Sequence, residues 1–226
     1  KVARSLVTAS LSPVFSRMQQ VDLLFHRTLK NDPSWPENGP FPAIHKGLQY
    51  AVLPSWLRRL QTRTYREHLM ENKLAIALSM GGTDAPNRTL KLLRLLSQCP
   101  HKLVLFVALG DAYTHSYEEL LACAAENRQE IILLKSNESM WRVLKGAALL
   151  LCAGGLTTYE AAYIGLPAIN ILQREEWSYL FEELAERGAC MTLPPVEGSL
   201  ERALQCVTAL AGDRDRLLGM HLASKG

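Results

Sequence analysis

From Lys73 onward the chain alternates short apolar runs with segments of helical period, and this alternation constrains the fold more than any other feature of its 226 residues. The apolar runs are Lys73–Ser79 (KLAIALS), Leu103–Ala108, Ile131–Leu134, Leu149–Cys152, Ala168–Leu172 and Cys190–Leu193. Between them lie Arg88–Ser97, Tyr117–Glu126, Ser139–Lys145, Thr157–Ile164 and Glu176–Arg187; Leu200–Leu210 and Arg214–Ala223 follow. Short continuous apolar runs suit strands buried on both faces, and such strands need helices on both sides of a parallel sheet. The pattern predicts an α/β fold, with a Rossmann-like parallel sheet of about six strands and right-handed crossovers.

Residues 1–72 read differently. Val21–His26 and Tyr50–Leu53 look like strands, and Ser12–Gln20 is amphipathic. Asn31–Pro42 holds four prolines and the pair Asn38-Gly39, a loop composition. Pro54–Met70 reads as a helix with proline near its start. These elements are too few for a complete α/β domain. The expected organisation is a partial N-terminal lobe or interlobe linker over 1–72, followed by one lobe over 73–226.

Two glycine turns carry the functional signal. The first, Met80-Gly81-Gly82-Thr83-Asp84-Ala85-Pro86-Asn87, follows an apolar run and leads into a helix. Its glycines permit positive φ and close approach to a ligand. Thr83 or Asp84 can cap the helix, Pro86 suits its first turn, and Asn87 offers a donor to a ligand oxygen. The second turn is Gly154-Gly155-Leu156-Thr157-Thr158, in the stretch AALLLCAGGLTTYEAAYIGLPAINIL. Its backbone N–H groups stand at a helix N-terminus, where phosphates bind, and Glu160 one turn later can accept two ribose hydroxyls. Thr157-x-x-Glu160 equally fits a capping box, in which Glu160 serves only the backbone. Neither turn is a G-x-G-x-x-G or Walker A sequence. Strands of one parallel sheet bring both turns to its carboxyl edge, where open α/β sheets bind ligands. Gln173, after the next run, joins them there as a donor to a sugar or base.

Other features point away from competing functions. A net charge of +3 without a long basic run argues against nucleic acid. Arg58, Arg59, Arg63 and Arg66 fall with Glu67 and Glu71 on one expected helix and read as a solvated face. Cys99, Cys123, Cys152, Cys190 and Cys206 show no metal-ligand spacing, so no metal is expected. Free thiols packed as small hydrophobes suit a reducing compartment. No apolar run reaches the length of a membrane span, so a cytoplasmic protein without an integral membrane segment is expected. The six histidines lack partner spacing. His115 is the least bland, because it follows the Leu103–Ala108 run. The four tryptophans read as packing residues.

At these motifs the chain resembles the C-terminal lobe of GT-B-type nucleotide-sugar enzymes, among them the peptidoglycan N-acetylglucosaminyltransferase. The narrower resemblance is to the UDP-sugar hydrolase of pseudaminic acid biosynthesis (UDP-2,4-diacetamido-2,4,6-trideoxy-beta-L-altropyranose hydrolase) and to the spore-coat polysaccharide proteins. It rests on Met80–Asp84 with Asn87, Thr89 and Leu90, on Gly154–Ala161, and on Gly165-Leu166-Pro167. Val21–Leu24 and Leu48–Leu53 resemble the same family's linker region. The resemblance implies a UDP-sugar ligand and no cofactor. It places the Gly154–Thr158 turn on the diphosphate, Glu160 on the ribose, and the Gly81–Asp84 turn along the interlobe cleft. It implies hydrolysis of a UDP-linked amino sugar in surface-glycan synthesis. The alternatives are a GT-B glycosyltransferase and a catalytically incomplete lobe working with a partner subunit. The hydrolases carry a Gly-x-Gly-His turn that nothing here matches, so the catalytic residue is unknown and a missing N-terminal lobe or partner subunit is expected.

Overall fold

The computed structural model of the protein describes residues 6–12, 20–31, 43–135 and 144–225. Six parallel strands form the main sheet: β4 (Leu74–Ser79), β5 (Leu103–Leu109), β6 (Glu130–Lys135), β7 (Leu149–Cys152), β8 (Ala168–Ile171) and β9 (Cys190–Leu193). Their order across the sheet is β6-β5-β4-β7-β8-β9. Every residue of β7 and β8 is buried, as central strands covered on both faces require. The covering helices are α1 (Thr62–Met70), α2 (Arg88–Leu96), α3 (Tyr117–Glu126), α4 (Leu156–Ile164), α5 (Tyr179–Glu186), α6 (Ser199–Gly212) and α7 (Arg214–Ala223). The expected α/β lobe is therefore present. Its apolar runs became the strands: the central ones bury side chains on both faces, while edge strand β6 is only partly buried.

A second, smaller sheet contains β1 (Ala9–Ser10), β2 (Leu23–His26) and β3 (Ala43–Lys46), parallel and in that order. Its period of two is visible in β2, where Leu24 and His26 are buried. The alternate residue Phe25 stacks on His45 of β3 at 5.2 Å. Leu29 N–H donates to Glu183 of α5, and Lys30 pairs with Glu186 at 2.5 Å, tying this sheet to the lobe.

Several expectations for this region are corrected. Residues 48–53 form no strand: Gly47, at φ 125, ends β3, and a 3-10 turn follows over Leu48–Tyr50. Leu48, Ala51 and Leu53 then pack on the lobe instead of pairing. The helix expected over Pro54–Met70 starts only at Thr62, because Leu60 N–H is drawn to Ile164 O at the end of α4. Arg58 and Arg59 therefore lie outside the helical face assigned to them. The segment Glu176–Arg187 is a 3-10 turn (Glu175–Trp177) followed by α5 rather than one helix. Strands β1 and β3 were not visible as periodic apolar patterns. The Asn31–Pro42 loop, the Ser12–Gln20 stretch and the Ser139–Lys145 helix fall largely outside the described residues.

Helix α1 precedes residue 73 but packs against the lobe. Tyr65 is fully buried and donates its hydroxyl to Ala148 O at 2.7 Å. His221 of α7 stacks on Tyr65 at 4.2 Å, with its Nδ1 on Gly165 O and its Nε2 3.2 Å from Thr62 Oγ1. Lys225 donates to the same Thr62 hydroxyl at 3.0 Å. That hydroxyl then gives its proton to Nε2, which requires a neutral imidazole donating from Nδ1. Burial and the nearby Lys225 charge hold His221 below the usual histidine pKa. The unfolded chain therefore binds the proton more readily. Stability from this group is complete above about pH 6.5 and falls below it, by at most about 1.4 kcal/mol per pH unit. Urea denaturation at pH 7.5 and pH 5.0 should show wild type losing its advantage over His221→Gln as the pH drops.

Candidate functional site

Strand order sets the site. Chain order reverses between β4 and β7, adjacent strands whose last residues, Ser79 and Cys152, are in register. From β4 the chain winds outward to β5 and β6, and from β7 outward to β8 and β9. At such a switch point the following turns diverge and leave a crevice at the carboxyl edge. The turns leaving β4 and β7 are the two glycine turns.

The first turn is a braced wall. Asp84 is buried, and its carboxylate accepts from Arg88 N–H at 2.9 Å and Thr89 N–H at 2.8 Å. It caps α2, which begins at Arg88 and leaves Pro86 in the preceding turn rather than in the helix. Among the described residues, Asp84 and Asn87 are the non-glycine residues with positive φ. The loop after β5 holds them there. Tyr113 donates to Asn87 Oδ1 at 3.1 Å, and a ring nitrogen of His115 lies 2.8 Å from Asp84 O. A Cβ on Gly110 would stand 2.3 Å from Gly82 O, so that loop touches the turn's backbone. His115 thus serves as a brace. Gly81, Gly82 and Thr83 are exposed, with open space beside both glycines.

The second turn is open. Gly154 (φ 84) packs against Phe181 and Leu172, while Gly155 (φ 96) has open space around it. Gly155 is itself the N-cap of α4 and supplies no side-chain cap. Thr157 therefore lies inside the helix, and the capping box with Glu160 is not formed. The N–H groups of Leu156 and Thr157, in the first turn, meet no acceptor among the described residues. The Thr158 hydroxyl points inward and donates to buried Asn170 at 2.7 Å, leaving only its backbone for the crevice. Glu160 is partly buried, and burial raises its pKa above the usual carboxylate value. It forms no hydrogen bond or ion pair with any described residue.

Arg88 was not visible in the sequence as a site residue. Its guanidinium reaches from the start of α2 past β7 to Ile171 O at 3.0 Å and Leu172 O at 2.9 Å, at the end of β8. It sets the span between the two sides of the crevice and adds a cation there. Gln173 follows Leu172, exposed on the same edge. Arg174 lies over the ring of Trp177 at 5.5 Å and pairs with Glu176. Trp177 and Trp56 are both exposed, against the expectation that the tryptophans are packing residues. Among the described residues no three His, Cys, Asp or Glu side chains converge as metal ligands, and no helix is long and apolar enough to cross a membrane.

Over 98% of its length the chain superposes on MurG from Acinetobacter baumannii, with a TM-score of 0.71 at 20% identity and 62% of that chain covered. The main sheet and its helices have the fold of a GT-B lobe. Anabaena HepE, solved with UDP and glucose, gives a TM-score of 0.63 at 12% identity, over 92% of this chain and 60% of that one. In sequence, the chain is 26% identical to the spore coat polysaccharide biosynthesis protein SpsG of Bacillus subtilis over 154 residues, 66% of this chain and 43% of SpsG. The chain spans less than half the length of the curated relatives it matches. No family model matches.

The contact between Gly110 and Gly82 makes an asymmetric prediction. Gly110→Ala should cost about 1–3 kcal/mol in chemical denaturation by overpacking the brace. Gly82→Ala, facing open space, should stay within about 0.5 kcal/mol of wild type.

Proposed function

We propose that this lobe binds the nucleotide of a UDP-sugar and serves an enzyme that hydrolyses a UDP-linked amino sugar in surface-glycan synthesis. The observation that carries the reading is the uncapped N-terminus of α4 at the switch point, with an unpartnered Glu160 one turn along. In this reading Gly154, Gly155, Leu156 and Thr157, with the Thr158 backbone N–H, receive the diphosphate. The helix dipole stabilises the negative charge there. The Glu160 carboxylate accepts the two ribose hydroxyls. Gly81, Gly82 and Thr83 line the facing wall, with Asp84 and Asn87 fixing its shape, and Gln173 meets the sugar or base. When water attacks the sugar and UDP leaves, charge grows on the diphosphate, where the N–H donors and the Arg88 cation already stand. Similarity to SpsG supports the polysaccharide setting.

Residues 73–226 form the nucleotide lobe in this proposal, and 1–72 a partial second lobe and linker. The residue that activates water belongs to a further lobe or a partner subunit. A transferase is the second reading, favoured by exposed Leu156 and Trp177 on the carboxyl edge, which offer apolar surface to an acceptor. Product analysis with and without acceptor separates the two.

Calorimetry should show saturable UDP binding to the chain, weakened about tenfold or more in Glu160→Ala, the scale of losing hydrogen bonds to a charged acceptor. No heat at millimolar UDP from folded protein would overturn the proposal. The raised Glu160 pKa adds a sign: its charged form is lost at a higher pH than for an ordinary carboxylate. The ratio of wild-type to Glu160→Gln affinity should therefore shrink from pH 7.5 to pH 5.0, a comparison in which titration of UDP itself cancels.

A further inference from the structure

A cavity of about 530 Å³ lies between the segment that links the two sheets and helices α4 and α5. It sits at the amino edge of the main sheet, away from the glycine turns. Arg187 and Ala189 of its wall lead into the start of β9, and Lys225 of its wall lies against Gly165, which closes the far end of α4. Its size is that of a small-ligand site.

The wall has two chemical parts. Leu53, Leu184 and the exposed ring of Tyr163 supply apolar surface. Arg59, Arg187 and Lys225 supply positive charge, and among the described residues no carboxylate lines the cavity. Arg187 pairs with Glu183 at 3.1 Å. The other two pair with no anion among the described residues. The Arg59 guanidinium lies over the Tyr163 ring at 5.4 Å, and Lys225 Nζ donates to the neutral oxygens of Leu60 and Thr62 at 2.6 and 3.0 Å. Burial and the charge of Arg59 together hold the Lys225 ammonium below the usual lysine pKa. Two cations that repel each other beside an apolar floor, with donors left over on both, define what would complete them.

We propose that this cavity binds an amphipathic anion, its phosphate or carboxylate head held by Arg59 and Lys225 with Arg187, and its apolar body lying over Tyr163, Leu53 and Leu184. The head of a membrane lipid and a free acyl or isoprenyl phosphate share that chemistry. The site is independent of the nucleotide reading, because it uses the opposite edge of the sheet.

Decyl phosphate below its micellar concentration is the probe, titrated by calorimetry into the full chain. It should bind with one-to-one stoichiometry and at least tenfold more tightly than either inorganic phosphate or neutral decyl maltoside. Arg59→Gln and Lys225→Gln should each weaken it at least fivefold, while their melting curves show folded protein and their response to UDP matches wild type. Flotation with phosphatidylglycerol vesicles then identifies the source. Retention that decyl phosphate competes away marks a lipid head, and no retention with decyl phosphate binding intact marks a free ligand; both support the site. Decyl phosphate binding no tighter than decyl maltoside, or unchanged in both variants, would overturn it.

Discussion

The arrangement of the molecule depends on one pairing, β4 beside β7. These are central strands, and their residues 76–79 and 149–152 pair in register with full burial on both sides. A strand of that kind is stable only where helices close both faces of the sheet. With right-handed crossovers, the chain must wind one way from β4 and the other way from β7. The turns that leave them cannot cover the gap between them. The crevice is thus a consequence of covering a two-sided core, and residues in those turns occupy it whatever their chemistry.

What the chemistry adds is asymmetry. Both turns are glycine pairs entering a helix, yet one helix start is closed and the other is open. Asp84 places a carboxylate on the first N–H groups of α2 and neutralises that end of the helix dipole. Gly155 places nothing on α4. The first turn is then free to serve as a rigid wall, held by Gly110, Tyr113 and His115. The second keeps its donors. Arg88 binds the two sides together through the carbonyls of Ile171 and Leu172 and leaves its positive charge at the same edge. A chain of modest net charge thereby concentrates positive potential where an anion would sit.

The main sheet was legible in the sequence because buried strands and amphipathic helices impose period and composition on every residue. Strands β7 and β9 and helices α3 and α7 were read to the residue. The N-terminal elements were less legible for a physical reason. Strand β3, Ala43–Lys46, alternates only between exposed and partly buried, and its sequence AIHK carries no apolar–polar alternation, while apolar Ala51 and Leu53 pack against the lobe and mimic a strand. At the site, the two glycine turns were visible, since positive φ leaves a mark in residue choice. Their difference was not. Whether Asp84 or Thr83 caps, and whether Glu160 folds back on Thr157, depends on which residue begins each helix, and helix starts are poorly determined by local pattern. Arg88 was invisible because its partners are backbone carbonyls more than eighty residues away.

Helix α4 shows why the far edge of the sheet matters to the crevice. With nine residues it is too short to persist alone. Its C-terminal end is clamped: the backbone turns at Gly165 (φ 87), Gly165 O is bound by His221, and Ile164 O receives Leu60 N–H. These contacts recruit α7 and the segment before α1, neither of which approaches the glycine turns. At the other end Gly154 is wedged against Phe181 and Leu172, which fixes where the open turn begins. Donors aimed at a developing negative charge act best when they need not reorganise. A helix held only at its N-terminus would tilt with its ligand and lose that advantage. The elements that clamp Gly165 therefore belong to the proposed anion site as much as the residues that face it.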